Sequence, residues 1–297
     1  MNDAVPLPRI ALTAGDPAGI GPEIVAKAIA DPRVTAACEA IVFGTSAGAG
    51  THPGTASAEG GRAAYDAIVA AVDAARAGRV DGIATAPVSK IGFARAGLPW
   101  KGHTDLLAHL TGSDDVAMMF WSESLRVVLA TVHIPLSEVP RVLTQEVLGR
   151  TIRLTARELP AFGVVRPKLA VAGLNPHAGE EGVLGDEEIR VLTPAIASAR
   201  RDGIDVSGPF PGDTIFARAS RGEFDCVVAC YHDQGLIPIK MVAFGSAVNV
   251  TLGLPIVRTS VDHGTAYDIA GRGVADPSSM IAAVLLAARL AGARQPR

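Results

Sequence analysis

Residues 224–277, FDCVVACYHDQGLIPIKMVAFGSAVNVTLGLPIVRTSVDHGTAYDIAGRGVADP, carry isolated polar side chains in an apolar, glycine-rich background. The run from Phe224 to Ala229 is apolar and partly β-branched, which predicts a strand covered on both faces. The chain turns polar directly afterwards, so His232 is predicted to lie just past the carboxyl end of that strand. This order of strand and polar loop decides the fold, because it recurs along the chain.

The remaining strands and helices are predicted to alternate in the same way. Predicted strands cover residues 9–14, 41–43, 82–86, 125–132 and 168–173, and predicted helices cover 62–77, 106–110, 145–158, 186–200 and 277–293. Such alternation predicts an α/β protein with parallel sheets covered by helices on both faces. Ligands of these sheets bind outside the carboxyl ends of the strands.

Length and composition favour a small-molecule partner. The 297 residues suffice for two lobes or one large α/β unit, and 48% of them are hydrophobic while 4% are aromatic. The 27 basic residues against 30 acidic ones create no field for nucleic acid or an anionic membrane. Neither a secretory leader nor an apolar run of about 18 residues is found, so we expect a cytoplasmic protein that does not contact the membrane.

The three cysteines do not predict a disulfide framework. Cys226 and Cys230 are four residues apart in or beside a strand, which separates them by about 13 Å at roughly 3.3 Å per residue. With Cys38 they form a sparse, odd set, typical of a reducing compartment. We interpret all three as inert core thiols.

Three histidines follow predicted strands and are candidate metal ligands. His133, His177 and His232 come from separate strand–loop junctions and show no local metal-binding spacing. A single histidine of this kind is more often a structural residue. Three in equivalent positions predict a His₃ site with one or two open coordination positions, which can polarise a hydroxyl, a carbonyl or a water.

The polar residues that follow in the focal stretch suggest an anion site and a nucleotide loop. Lys240, Asn249 and Arg258 could hold a carboxylate or a phosphate, or could form surface ion pairs. Residues 262–271 form a glycine-bearing loop that is predicted to open a helix and could meet a nucleotide. Near the N-terminus, the glycines of residues 15–23 predict a tight strand-to-helix turn, without the dinucleotide fingerprint. Farther along the chain, Thr104 or Asp105 could cap the predicted helix at residues 106–110, and the free N–H groups at the start of that helix could hold a phosphate.

Eight motifs together resemble the 4-hydroxythreonine-4-phosphate dehydrogenase family of pyridoxal phosphate biosynthesis. They span nearly the whole chain: GDPAGIGPE (15–23), APVSK (86–90), GHTD (102–105), HIPL (133–136), LNPHAGE (174–180), PGDT (211–214), YHDQGLIPIK (231–240) and VNVTLGLPIVRTSVDHGTAYDIAG (248–271).

The resemblance implies a fold and an activity. The implied fold is two α/β/α lobes with a cleft between them, similar to isocitrate and isopropylmalate dehydrogenases. Residues 1–124 and 256–297 are expected to form the first lobe. Residues 125–255 are expected to form the second lobe, which makes the dimer. The activity is NAD-dependent oxidation of the C3 hydroxyl of 4-phosphooxy-L-threonine, followed by decarboxylation to 3-amino-2-oxopropyl phosphate. The implied assembly is a homodimer that shares a divalent metal (zinc, magnesium or cobalt) between subunits.

The same resemblance implies roles for individual residues. The metal ligands are His133, His177 and His232, and the substrate contacts are His103, Thr104, Lys240, Asn249 and Arg258. The general base is left open among Lys240, Asp233 and Asp262. The expected mechanism places the C3 oxygen on the metal, passes hydride to nicotinamide and decarboxylates the product.

The loop at residues 263–277 is similar to the adenosine-binding loop of isocitrate dehydrogenases. It places His263, Gly264, Thr265, Ala266 and Asp268 at the cofactor. A carboxylate at Asp268 would accept hydrogen bonds from ribose hydroxyls and repel a 2′-phosphate, which predicts NAD rather than NADP.

One departure and several alternatives remain. Residues 44–61 are fewer than the family usually has there, so the first lobe is expected to be trimmed. Enzymes similar to this family oxidise threonate or erythronate 4-phosphate, or cis-dihydrodiols of terephthalate. The motifs do not show whether the substrate carries the amine that distinguishes hydroxythreonine from threonate. A metal-dependent hydrolase or a non-catalytic phosphometabolite-binding protein would use part of the same residues.

Overall fold

The computed structural model describes residues 6–45 and 51–294, so part of the short 44–61 region lies outside the described residues. The described residues form two compact units. Asp115–Gly253 make up the second unit, and the described residues before and after that segment make up the first. The boundaries expected from the sequence were near residues 124 and 255.

Helices and strands are numbered along the chain. The first unit contains β1 (Arg9–Thr13), α1 (Gly21–Ile29), α2 (Pro32–Ala37), β2 (Glu39–Phe43), α3 (Ala58–Arg76), β3 (Gly82–Thr85), α4 (Lys90–Arg95), α5 (His103–Thr111), β10 (Arg258–Ser260) and α11 (Ser278–Arg294). The second unit contains β4 (Ala117–Trp121), β5 (Arg126–Leu129), α6 (Val139–Val142), α7 (Gln145–Glu158), β6 (Leu169–Ala172), α8 (Thr193–Arg201), β7 (Val206–Phe210), α9 (Gly212–Ser220), β8 (Cys226–Ala229), α10 (His232–Ala243) and β9 (Val248–Leu252).

The strands of the first unit are all parallel. Their order is β2-β1-β3-β10, and α3 and α11 both pack against β1 and β3. Every residue of β3 is buried, as expected for a strand covered on both faces. The predicted parallel α/β arrangement is therefore confirmed in this unit.

The second unit has the strand order β9-β4-β5-β8-β6-β7 and is only partly parallel. Strands β5, β8, β6 and β7 are parallel, whereas β4 runs antiparallel to both β9 and β5. Strand β4 was not predicted from the sequence, and the expectation of parallel strands throughout is wrong for this unit. The cause is a short reversal between β4 and β5, where Ser122 N–H donates to the carbonyl of Leu125.

Three local predictions need correction. The predicted strand 125–132 ends at Leu129. Beyond it the chain leaves the strand conformation: Thr131 Oγ1 donates to the carbonyl of Cys230, and His133 takes a φ of 52°. The helix that residues 262–271 were predicted to open does not form there. Ala266, at φ 43°, and two glycines at positive φ keep the chain irregular, and the next helix begins at Ser278. Helix α10, which contains Pro238, and strands β9 and β10 were not predicted.

The cysteine prediction is confirmed. Cys38, Cys226 and Cys230 are buried free thiols. Burial raises the pKa of Cys226 to about 12, so this thiol stays protonated and is a poor nucleophile at neutral pH. Among the described residues, no helix has the length and apolarity needed to cross a bilayer.

Candidate active site

The three candidate metal ligands all belong to the second unit and follow its three adjacent parallel strands. His133 lies four residues after β5, His232 is the first residue of α10 after β8, and His177 lies in the loop after β6. Parallel strands bring their carboxyl ends to one edge of the sheet. The prediction that these residues follow strand ends therefore holds, although β5 ends earlier than expected.

His133 and His232 form a close pair. Their ring centroids are 5.5 Å apart, and both side chains line a cavity of about 210 Å³. His232 Nδ1 lies 2.7 Å from Asp233 Oδ1, and such a carboxylate contact orients an imidazole so that its other nitrogen can act as a ligand. His133 has a φ of 52°, an uncommon backbone conformation for a residue other than glycine that is often found at functional sites.

His177 lines a different and larger cavity of about 720 Å³. Tyr231 and Asp233 line both cavities and therefore lie between them. Within the described residues of one chain, no three histidine, cysteine or acidic side chains come together to hold a metal. The described residues of a single chain thus provide a histidine pair but not the complete expected site.

The loop that carries His177 is strained and is held by a residue that the sequence analysis did not single out. Residues 177–181 all have positive φ values between 43° and 82°. Glu188, which is buried, accepts hydrogen bonds from the N–H groups of Leu174 (2.8 Å) and Asn175 (2.7 Å). Its other carboxylate oxygen accepts from Asn175 Nδ2 at 2.9 Å. One signal could have identified Glu188: it is an acidic residue at a position that the pattern of the predicted helix 186–200 places on the buried face.

Gln234 joins the loops that carry His177 and His232. Its Nε2 donates to the carbonyl of Gly173 at 2.6 Å, and its Oε1 accepts from the N–H of Cys230 at 2.7 Å. Gly173 lies just past β6, and Cys230 lies just past β8. This role of Gln234 was not predicted from the sequence, where the residue stands within the motif YHDQGLIPIK.

The first unit contains a buried cation near a half-buried imidazole whose Nε2 atom is buried. Arg258 is 2% exposed, and its Nη2 donates to Thr85 Oγ1 at 2.7 Å. Burial, and then the positive charge of Arg258, hold the pKa of His103 well below its usual value, so His103 is neutral at pH 7. His103 Nε2 is buried and has no hydrogen-bond partner among the described residues.

Helix α5 begins at His103, so the earlier proposal that Thr104 or Asp105 caps it is wrong. Both residues lie inside the first turn, and Gly102, which has no side chain to cap with, precedes the helix. The free N–H groups of this turn and the charge of Arg258 together favour an anion.

Two further predicted substrate residues lie in the second unit. Asn249 is on β9, opposite Phe120 of β4, and its Oδ1 is buried without a hydrogen-bond partner in the described part of the chain. Lys240 is half-buried on α10.

The predicted cofactor residues His263, Gly264, Thr265, Ala266 and Asp268 lie in the irregular segment between β10 and α11. Asp268 is exposed, and a Cβ added at Gly264 would meet no atom within 4 Å. Asp262, at the start of the segment, accepts a hydrogen bond from Ser279 Oγ at 2.9 Å. An exposed carboxylate beside an open stretch of backbone can accept hydrogen bonds from the hydroxyls of a ribose.

A scan against protein families matches residues 19–287 to the family described as "Pyridoxal phosphate biosynthetic protein PdxA". A 4-hydroxythreonine-4-phosphate dehydrogenase from Beijerinckia indica is 48% identical over 318 aligned positions, which cover 95% of this chain and 94% of the relative. The alignment exceeds the 297 residues of the chain, so at least 21 positions face no residue here.

Other matches vary in name. A protein of Bradyrhizobium diazoefficiens provisionally named a D-threonate 4-phosphate dehydrogenase is 43% identical, over 95% of this chain and 96% of the relative. An isocitrate dehydrogenase structure from Methylococcus capsulatus, 20% identical with a TM-score of 0.50, covers 93% of this chain and 83% of that one and shows a shared fold alone.

A crystal structure of a 4-hydroxythreonine-4-phosphate dehydrogenase from Klebsiella pneumoniae shares 40% identity with a TM-score of 0.87. It covers 98% of this chain and 99% of its own. The predicted family and its isocitrate dehydrogenase-like α/β fold are confirmed, and the chain belongs to the PdxA family of pyridoxal phosphate biosynthetic proteins.

Proposed function

We propose that the protein oxidises the C3 hydroxyl of 4-phosphooxy-L-threonine with NAD and a divalent metal, and that the product decarboxylates to 3-amino-2-oxopropyl phosphate. Family membership supports the dehydrogenase class. The structural observation that carries the proposal is His103 Nε2, a buried polar atom without a partner in the described residues, beside the buried cation Arg258. Buried polar groups are nearly always hydrogen-bonded, so a ligand is the expected partner.

The phosphate of the substrate is assigned to the start of α5. His103 and Thr104 occupy its first turn, and Arg258 supplies the fixed positive charge. Lys240 and Asn249 are retained as proposed substrate contacts, and the Oδ1 of Asn249, which is buried without a partner in the described residues, supports a polar ligand beside β9. A small phosphorylated hydroxy acid fits these groups, since a cation, an imidazole and an amide each offer hydrogen bonds to it.

NAD is assigned to the segment that holds His263, Gly264, Thr265, Ala266 and Asp268. The exposed carboxylate of Asp268 would accept hydrogen bonds from the adenine ribose and disfavour a 2′-phosphate. We therefore expect NAD to be preferred over NADP.

The metal site is proposed to be completed by a second copy of the chain. His133 and His232 form one pair, and His177 of a partner protomer would add the third ligand, which accounts for the incomplete set in one chain. A bound divalent cation (zinc, magnesium or cobalt) would stabilise negative charge on a substrate oxygen. The side chains of Ile237, Met241 and Phe244 on or next to α10 are exposed, Met241 at 80% and Phe244 at 83%, and supply an apolar surface for such a homodimer.

The group that accepts the hydroxyl proton is proposed to be Lys240, Asp233 or Asp262. Asp233 is paired with His232, and Asp262 accepts from Ser279, so each is already oriented by a neighbour. Lys240 is half-buried on α10.

A second candidate substrate is D-threonate 4-phosphate. The Bradyrhizobium relative supports it, because an identity of 43% to that protein and 48% to the Beijerinckia enzyme does not separate the two substrates. Erythronate 4-phosphate and a terephthalate cis-dihydrodiol are weaker alternatives, and a metal-dependent hydrolase or a phosphometabolite-binding protein would not reduce NAD. A cytoplasmic location stays a prediction.

The decisive experiment is a substrate panel. NADH formation is measured for 4-phosphooxy-L-threonine, D-threonate 4-phosphate and D-erythronate 4-phosphate, each with zinc, magnesium or cobalt and after chelation. We expect turnover of 4-phosphooxy-L-threonine that is lost on chelation and is at least tenfold weaker with NADP. Absence of NADH formation with every substrate would refute the dehydrogenase proposal.

A further inference from the structure

The segment between β10 and α11 is tied at two points to the beginning of the chain. Tyr267 OH donates a 2.6 Å hydrogen bond to Asp16 Oδ2, across a separation of 251 residues. Nearby, the N–H of Ile20 donates to the carbonyl of Thr265 at 3.0 Å. The second tie is the Glu23–Lys27 pair on α1: Lys27 Nζ donates to the carbonyls of Gly273 and Ala275, and Glu23 Oε1 accepts from the N–H of Ala275.

Asp16 is suited to be a rigid anchor. It is fully buried, and its Oδ1 accepts a 2.9 Å hydrogen bond from the N–H of Ala18, so the turn after β1 holds the carboxylate in place. A Cβ added at Gly60 would lie only 2.9 Å from the same oxygen, so α3 also packs closely against it. The backbone around Asp16 therefore positions its carboxylate independently of the loop that carries Tyr267.

Tyr267 is suited to be the donor on the loop side. Burial, and then the bond to Asp16, raise the pKa of Tyr267 to about 12, so its hydroxyl keeps its proton at neutral pH. The two ties flank the residues between Tyr267 and Gly273. Asp268, the exposed carboxylate assigned to the ribose, is the first residue after the tyrosine.

We propose that Asp16 and Tyr267 are positioning residues for the dinucleotide. Their hydrogen bond holds the irregular loop in the conformation that presents His263 and Asp268 to the nucleotide, without contact between the pair and the cofactor. This inference rests on the proposed function. It gives the buried aspartate of the GDPAGIGPE turn a role in cofactor affinity rather than in chemistry.

The test compares Tyr267→Phe with Tyr65→Phe, a matched change on α3 in the same unit, where the ring contacts Arg62. NADH affinity is measured by fluorescence titration, and hydrogen exchange of residues 263–277 is measured in the cofactor-free protein. We expect Tyr267→Phe to weaken NADH binding about tenfold, the effect of one lost hydrogen bond to a charged group, and to speed exchange in the loop.

A general loss of structure would not produce the expected pattern. KM for NAD should rise in Tyr267→Phe, while kcat and the KM for 4-phosphooxy-L-threonine stay within about twofold of the wild type, because only cofactor binding is affected. Asp16→Asn should retain more NADH affinity than Asp16→Ala, since an amide can still accept from Ala18 and can donate to the tyrosine hydroxyl.

The outcomes separate this inference from the proposed function. If the wild type binds NADH and Tyr267→Phe matches Tyr65→Phe in both affinity and exchange, the positioning role is wrong. If Tyr267→Phe weakens substrate and NADH binding equally, the pair is a general structural contact and the inference also fails. A wild type that binds no NADH would overturn the proposed function itself.

Discussion

The carboxylate of Glu188 accepts a 2.7 Å hydrogen bond from the backbone N–H of Asn175, two residues before His177. The same oxygen accepts from the N–H of Leu174. These bonds close a loop whose residues 177–181 all have positive φ. Such a backbone persists only where surrounding contacts hold it, so Glu188 is one of the residues that fix the position of His177.

Glu188→Ala should therefore destabilise the second unit and loosen this loop. Two part-buried N–H groups would lose their acceptor, which costs at most about 1–3 kcal/mol for each group left unsatisfied. Chemical denaturation would measure the loss of stability, and hydrogen exchange over residues 174–185 would locate it. Glu181→Ala, an exposed change in the same loop, is the control. Equal stability of the two variants would contradict the anchoring role.

Arg258→Lys should impair substrate binding although it keeps the charge. A lysine has no planar fork and cannot keep the bond to Thr85 Oγ1 while also contacting a phosphate. We expect the KM for the phosphorylated substrate to rise about tenfold or more, the effect of one lost charged hydrogen bond, with the KM for NAD little changed. Arg76→Lys on α3 serves as the control. An unaltered substrate KM in Arg258→Lys would exclude the assigned contact.

His103 should make the protein less stable in mild acid. Its pKa is held well below 6.5 in the folded state by burial and then by Arg258, whereas the unfolded chain takes up the proton near 6.5. The unfolded state thus binds more protons below that pH. Stability from the neutral imidazole is complete above pH 6.5 and declines as the pH falls below it, by at most about 1.4 kcal/mol per pH unit.

Denaturant titrations between pH 5 and 8 would measure this effect. His103→Gln should flatten the decline below pH 6.5, whereas His109→Gln, an exposed change on the same helix, should leave it in place. Parallel pH profiles for His103→Gln and the wild type would show that the imidazole titrates normally.

Met241→Asp should disrupt the proposed homodimer. Met241 is 80% exposed on α10, and a carboxylate there would have to be desolvated at an apolar interface. Light scattering should then show a monomer, and metal content should fall, because among the described residues of one chain no third ligand joins His133 and His232. Val165→Asp changes an equally exposed apolar residue of the same unit outside α10 and should remain dimeric. A dimeric Met241→Asp protein would place the interface elsewhere.

Much of the fold could be predicted from local patterns. Buried strands such as β3 and β8 appear in the sequence as short apolar runs, and the polar residue after each run marks the edge where ligands gather. The missed elements have contrary local features. Helix α10 contains Pro238 and Gly235, and Gly235 is required there because a Cβ would lie 2.6 Å from Leu129 Cδ2.

The candidate site was predictable in its residue types but not in its contacts. His133, His177 and His232 could be identified because each follows a strand. The sequence could not show that, of these three histidines, it is His133 and His232 whose rings pair in the described part of one chain, since ring distances depend on where each loop leaves the sheet. Glu188 and Gln234 were missed because their partners are backbone groups, which any residue type can supply.

The α/β class, the family and the available chemical groups could be inferred from the sequence, because strand burial and motif composition are local properties of the chain. Which of these groups meet depends on how distant segments fold together. Asp16 and Tyr267 are 251 residues apart, and no spacing rule connects them. Their bond exists because the turn after β1 and the loop after β10 fold against each other within one unit.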